Sequence, residues 1–253
     1  MNQHLYILTG GSRGMGLAMA EQLLHPDHVL LCISRHSHAG LAAQAQTRGA
    51  HLQQWTADLA EGADVARQLQ DWLARQNPAE WASATLINNA GVIPKIGPLS
   101  QAEVGDLAHA LRVGLEAPML LSAAFVGATE SWNLPRRVLN ISSGLGRRAM
   151  AAQAGYCAAK AGMDHFTRCL ALDEALKPQG ARVCSLAPGV IDTDMQVQLR
   201  SAHLQDFADQ ANFQHLKDQG LLSSPQDAAA RVLAYLNRPD FGAHPVADVR
   251  DPA

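Results

Sequence analysis

Short apolar runs recur along the chain at Leu5 to Thr9, Val29 to Ser34, Thr85 to Asn88, Val138 to Ser142 and Val183 to Leu186, with helix-length intervals between them. Runs that stay apolar residue after residue mark strands covered on both faces, as in a parallel sheet wrapped by helices. Between the first two runs, Leu17, Ala20 and Leu24 fall at i, i+3 and i+7 and share one helical face, and Pro26 closes the segment. That is a βαβ unit, and right-handed crossovers wind such units in one sense. The expected fold is α/β: a single-domain, doubly wound, Rossmann-type parallel sheet with helices on both faces, spanning residues 1–253. From Val190 to Ser224 the rhythm breaks, while Met195, Leu199, Leu204, Phe207, Phe213 and Leu216 fall at partly helical spacing. This stretch, residues 190–224, is expected to form a helical flap over the substrate site.

Composition narrows the partners. The 253 residues are 47% hydrophobic and 17% charged, enough for one large core. A formal charge of -3 with scattered Lys and Arg leaves no basic stripe for a phosphate backbone, so no nucleic acid is expected. The opening MNQHLYILTGG lacks a basic segment followed by a long apolar one, and no apolar run reaches the roughly 20 residues of a membrane span. A cytoplasmic protein with no membrane partner is the expectation. Cys32, Cys157, Cys169 and Cys184 form no CxxC pair and are expected as reduced thiols, mostly in the core. The 11 His, expected on the solvated surface, show no HExxH or comparable spacing, so no metal is expected.

Thr9 to Gly16 reads TGGSRGMG, between the first expected strand and the first expected helix, where a dinucleotide pyrophosphate can approach a helix N-terminus. Side chains at Gly10, Gly14 and Gly16 would block close backbone approach or tight helix packing. Glycine also serves plain turns, and it is the place between strand and helix that favours a phosphate. Gly10, Ser12, Arg13, Gly14, Met15 and Gly16 are the candidate contacts. The second strand ends in Ser34-Arg35, where a site for NAD would commonly carry an acidic residue on the ribose hydroxyls. Ser34 offers a hydroxyl, and Arg35 and Arg13 offer guanidinium groups, all suited to a 2′-phosphate. NADPH is therefore favoured over NADH, against the alternative that both arginines are solvated surface groups.

In Gly155-Tyr156-Cys157-Ala158-Ala159-Lys160 the i, i+4 spacing sets Tyr156 and Lys160 on one helical face. A phenol with a reference pKa of about 10 becomes a better proton donor when a neighbouring cation stabilises its anion. Ser143, just after an expected strand, can donate a hydrogen bond to a carbonyl oxygen as negative charge develops there.

Together these motifs resemble the short-chain dehydrogenase/reductase family from about Leu5 to the end of the chain. TGGSRGMG resembles its cofactor loop, Asp58-Leu59 its adenine-contacting pair and Asn88-Asn89-Ala90-Gly91 its strand-stabilising motif, which puts Asn89, Ala90 and Gly91 at the cofactor. Pro188-Gly189-Val190-Ile191-Asp192-Thr193 resembles the loop at the nicotinamide, with Thr193 at the carboxamide. Asp192 to Gln196, the flap and Asp248-Val249-Arg250-Asp251 resemble the sepiapterin reductase and bacterial benzil reductase branch.

The resemblance implies an NADPH-dependent carbonyl reductase acting on a ketone or dicarbonyl. Tyr156 would donate the proton, Ser143 polarise the carbonyl, and Lys160 lower the Tyr pKa and bind the nicotinamide ribose. Leu145, Met150, Ile93 and Met195 are candidate substrate contacts, with ordinary core packing as their alternative role, and Asp248 matches the branch's pterin anchor. A homodimer through helices around Gly114 to Phe125 and Tyr156 to Leu176 is also implied. One position departs from the pattern: Val113-Gly114-Leu115 stands where the family has V-N-L, which removes the Asn thought to support a water chain from the lysine. A non-catalytic NADP-binding sensor or scaffold is the rival that Gly114 favours. A sugar-nucleotide epimerase, which also carries YxxxK, is disfavoured by the chain length.

Overall fold

The computed structural model describes residues 3–252. Strands β1 (Gln3–Thr9), β2 (His28–Ser34), β3 (His51–Thr56), β4 (Trp81–Asn88), β5 (Arg136–Ile141), β6 (Arg182–Ala187) and β7 (Val246–Asp248) form a seven-stranded sheet in the order β3-β2-β1-β4-β5-β6-β7. Every neighbouring pair is parallel. In β1 the period of two sends Leu5 and Ile7 into one core layer and Tyr6 and Leu8 into the other. The first layer is filled by α3 (Gly62–Ala74) and α5 (Ala117–Ala128), through Val65, Leu69, Leu121 and Phe125. The second is filled by α1 (Gly14–Leu23), α2 (Ala39–Arg48) and α9 (Pro225–Leu236), through Met19, Leu41 and Val232. The doubly wound sheet expected from the apolar runs is therefore observed.

Two strands escaped the apolar pattern. β3 reads HLQQWT and is partly exposed throughout, because an edge strand has one neighbour and thin cover. β7 has only three residues, too few for a periodic signal. Of the four cysteines, which are free, Cys32 and Cys184 are buried, but Cys157 is half-buried and Cys169 exposed, so only two lie in the core.

The run Val104–Ala128 comprises α4 (Val104–Leu111), a π-helical turn (Arg112–Glu116) and α5. It is long and apolar enough to match a membrane span by composition, yet α5 packs against α3 inside the fold. The remaining helices are α6 (Ala154–Ala175) after β5, then α7 (Asp194–Arg200) and α8 (Gln210–Asp218), which build the expected flap. Its two ends are pinned together: Asp192 N–H donates to Ser223 O at 2.9 Å and Ser223 N–H to Val190 O at 3.0 Å. Phe207 is fully buried within it and lies 5.6 Å from Phe213, centroid to centroid, whereas Leu204 points to solvent.

The order reverses between β1 and β4, and that crevice at the carboxyl ends is where an open α/β sheet binds ligands. Gly16 shows how tightly the backbone closes there. A Cβ on Gly16 would sit 2.1 Å from the Gly10 carbonyl oxygen, whereas a Cβ on the exposed Gly127 of α5 would meet nothing within 4 Å. Gly16→Ala should thus destabilise the fold by roughly 1–3 kcal/mol, and Gly127→Ala should stabilise it by about 0.5–1 kcal/mol. Urea unfolding midpoints measure both, and equal shifts would contradict the packing described.

Candidate active site

At the switch point the chain leaves β1 through Gly10 at φ 72° and enters α1 through Gly14 at φ 54°, both in the left-handed region that favours glycine. Arg13, at the helix N-cap, has extended backbone and makes no side-chain cap bond, so the first-turn N–H groups of α1 are left for a ligand. The Asn88 to Gly91 motif holds this turn. Asn89 Nδ2 donates to Thr9 O at 3.0 Å, and the N–H groups of Asn89 and Ala90 both donate to Thr9 Oγ1 at 3.0 Å. Asn88 Nδ2 reaches across to Asn140 Oδ1 at 2.8 Å, tying β4 to β5.

A cavity of about 950 Å³ opens above this crevice, and every residue singled out as a site residue in the sequence lines it. At its end beside β2, Ser34 is buried and its Oγ has no partner, while Arg35 is exposed beside it. Asp58 caps a short turn by accepting from Ala60 N–H at 2.9 Å. The orphaned Ser34 hydroxyl, the uncapped helix end and the glycine cradle fit a dinucleotide phosphate chain. Arg13, expected at the same phosphate, instead pairs with Asp194 at the start of α7, at 3.2 Å, with both side chains largely exposed. Such a pair is weakly held.

At the other end, β5 delivers Ser143 and α6 delivers Tyr156 and Lys160. Ser143 caps a single 3-10 turn, its Oγ accepting from Leu145 N–H at 3.2 Å. The Lys160 ammonium donates to Ile141 O at 2.6 Å and lies 5.8 Å from the centre of the Tyr156 ring. Burial pulls the Lys160 pKa down to about 8, partly opposed by the Asp164 carboxylate one helical turn further on. Burial also pushes the Tyr156 phenol up to about 12, partly opposed by a hydrogen bond with Ser143. Burial, Ser143 and Cys157 are the influences on the phenol in this arrangement, and Lys160 has no visible share among them. The lysine spends its hydrogen bond on a backbone carbonyl, and desolvation is the largest influence on the tyrosine.

Two other expectations change. Asp248 lines the cavity, but Arg250 grips its carboxylate from Nε and Nη2 at 2.7 Å each and holds its pKa below the usual carboxylate range. The DVR spelling does not reveal that Arg250 turns back on Asp248 in this way. Gly114 sits in the π-helical turn, where a Cβ would lie 3.2 Å from Ala159 Cβ on α6. The two helices pass close to one another at this point.

Ile93, Leu145, Met150 and Met195 gather around Tyr156 in a small apolar cluster that also takes in Leu199 and Phe207. Ile93 and Met150 both pack in that cluster and line the cavity. Sequence reasoning passed over Gln153, one turn before Tyr156, and Arg250, both of which line the cavity. No group of three or more His, Cys, Asp or Glu among the described residues is placed to hold a metal.

This fold and cavity define an NAD(P)H-dependent oxidoreductase of the carbonyl-reductase type. The chain belongs to the short-chain dehydrogenase family, whose model, described as short chain dehydrogenase, matches residues 4–204. It is 33% identical over 235 residues to a benzil reductase ((S)-benzoin forming) of Bacillus cereus, covering 93% of this chain and 94% of that one. It is 32% identical over 250 residues to the sepiapterin reductase of Meriones unguiculatus, covering 94% of each. A short-chain dehydrogenase/reductase from Burkholderia vietnamiensis, solved as a crystal structure, is 35% identical with a TM-score of 0.65, over 99% of this chain and 100% of that one.

Proposed function

We propose that this protein reduces one carbonyl of an apolar ketone or dicarbonyl to an alcohol, with NADPH as reductant. The observation that carries the reading is the convergence of Ser143, Tyr156 and Lys160 on a cavity walled by Ile93, Leu145, Met150 and Met195. The identities to the benzil and sepiapterin reductases are comparable, so the site must choose between their substrates. An apolar dicarbonyl such as benzil suits the wall as it stands. A pterin would have to displace Arg250, itself largely exposed, from its bidentate pair with the Asp248 carboxylate.

The nicotinamide, when bound, supplies the hydride. The chain's own residues supply the rest. A phenol near pKa 12 stays protonated at neutral pH, so Tyr156 is ready to donate to an oxygen that is becoming an alkoxide. Ser143 donates a second hydrogen bond to that oxygen. Lys160, charged below about pH 8, steadies the phenolate left behind and holds the cofactor ribose. At neutral pH the protonated phenol that reduction uses is the populated form, whereas oxidation must start from the phenolate. The presence of Ser143, Tyr156 and Lys160 together at the cavity supports turnover over the sensor that Gly114 suggested.

Two further readings belong to this proposal. The buried, unpartnered Ser34 hydroxyl and the exposed Arg35 favour the 2′-phosphate of NADPH. A homodimer through the central helices accords with exposed Met119, Leu172 and Leu176 and with the exposed small residues Ala154, Ala158 and Ala161 on α6.

NADPH oxidation with benzil should be readily observed, and Tyr156→Phe should lower kcat by about 10²–10⁴-fold. With Lys160 as the supporting cation, the rate should hold below pH 8 and fall above it, since deprotonation removes the charge; a limb only near pH 12 would point to Tyr156 instead. Cofactor titration should show NADPH binding at least about tenfold more tightly than NADH, given about 1.5–3 kcal/mol per charge-assisted hydrogen bond, and Arg35→Asp should reverse the order. Equal affinities in the unaltered protein would remove the NADPH assignment. Light scattering at micromolar concentration should give a dimer mass, with Leu172→Asp shifting it toward monomer.

A further inference from the structure

We propose that Gln153 recognises the second oxygen of a dicarbonyl substrate, its side-chain Nε2 donating to the carbonyl next to the one being reduced. Glutamine is ordinarily a surface residue, yet Gln153 is 2% exposed and both polar atoms of its carboxamide lack a partner. Nothing in the fold uses that group. Gln153 is the N-cap of α6, but its side chain makes no capping bond, and only its backbone carbonyl contributes, accepting from Cys157 N–H at 2.8 Å. A buried amide left without partners disfavours the folded state, so its presence in a cavity wall calls for a polar group arriving from the cavity.

The placement matches a substrate with two neighbouring oxygens. Gln153 precedes Tyr156 by one helical turn, a separation that brings side chains about 5–6 Å apart at Cβ. Both line the same cavity, so one carbonyl oxygen can meet Tyr156 and Ser143 while the adjacent one meets the amide. The backbone is held for this purpose at some cost. Ala152, immediately before Gln153, has φ 60° and is the one non-glycine residue with positive φ among the described residues. Its side chain packs in the apolar cluster with Ile93, Met150 and Tyr156, which fixes the turn that delivers Gln153 into the wall. A donor left without a partner favours a substrate that brings an acceptor to that spot, and a monoketone brings none.

This inference rests on the carbonyl-reductase reading above, and the test separates the two. Rates of NADPH oxidation with benzil and with deoxybenzoin, which has the same two rings and one carbonyl, give a ratio of kcat/KM for each protein. Gln153→Met keeps the length and removes the donor, and should lower the benzil-to-deoxybenzoin ratio by about tenfold or more relative to the unaltered protein. NADPH affinity without substrate, followed by cofactor fluorescence, should change by less than about twofold, which shows that the variant is folded. Gln153→Glu, which sets an anion against the carbonyl oxygen, should lower the ratio further, and it carries the test if Gln153→Met fails to bind NADPH. A merely structural role would depress both substrates equally, and an unchanged ratio in a folded variant overturns the proposal while leaving the reductase in place. If the unaltered protein binds NADPH but reduces neither compound, the reductase reading falls and this inference with it.

Discussion

The ammonium of Lys160, nearly closed off from water and resting on the Ile141 carbonyl at 2.6 Å, is the charge around which this end of the molecule is arranged. A cation in such a place is unfavourable unless its surroundings compensate it. Ile141 supplies an acceptor because β5 ends there. Just beyond, Ser142 N–H donates to Leu186 O of β6 at 2.9 Å. Asp164 supplies the opposing charge, and it is itself buried, accepting hydroxyl hydrogen bonds from Ser142 at 2.5 Å and Ser185 at 2.6 Å, with Arg147 at 3.4 Å. The helix that carries Lys160 is thereby keyed to the ends of two strands. The positions of Tyr156 and Ser143 follow from that key.

The same dryness acts on the two titrating groups in opposite directions, lowering the base and raising the acid. Both shifts favour the neutral species, and both leave the pair at pH 7 as a charged lysine beside a protonated phenol. The flap sustains that environment. Its ends are hydrogen-bonded to each other between Val190 and Ser223, so α7 and α8 hang over the cavity from a closed base, with Met195 and Leu199 turned inward. The reacting end of the cavity thus sets a few polar side chains, Ser143, Gln153, Tyr156 and Lys160, against an apolar wall.

Much of this was legible in the chain. The central strands announced themselves because a strand covered on both sides must be apolar at every position, and that pattern needs no knowledge of its neighbours. Edge strands β3 and β7 did not, since one is half-wet and the other three residues long. The glycine loop was readable because the backbone geometry it permits is a property of the residue, and the Tyr156 and Lys160 spacing because a helix places i and i+4 together wherever it occurs.

What only the tertiary structure decided were the quantities set by which groups meet and how dry they are. The sequence determined that Asp248 and Arg250 exist two residues apart, and that Arg13 lies in the glycine loop. It left open that the first pair closes on itself and that Arg13 turns toward Asp194, because side-chain partners are chosen by distance in space. It showed a lysine one turn from a tyrosine, but desolvation, the largest influence on both, depends on every atom packed around them. Gln153 carried no signal beyond its place before Tyr156, and only burial revealed an amide with no partner. Local rules read out the scaffold and the reacting set, while pKa values, pairings and unmet hydrogen bonds belong to the packed whole because solvation and Coulomb energies are properties of an environment.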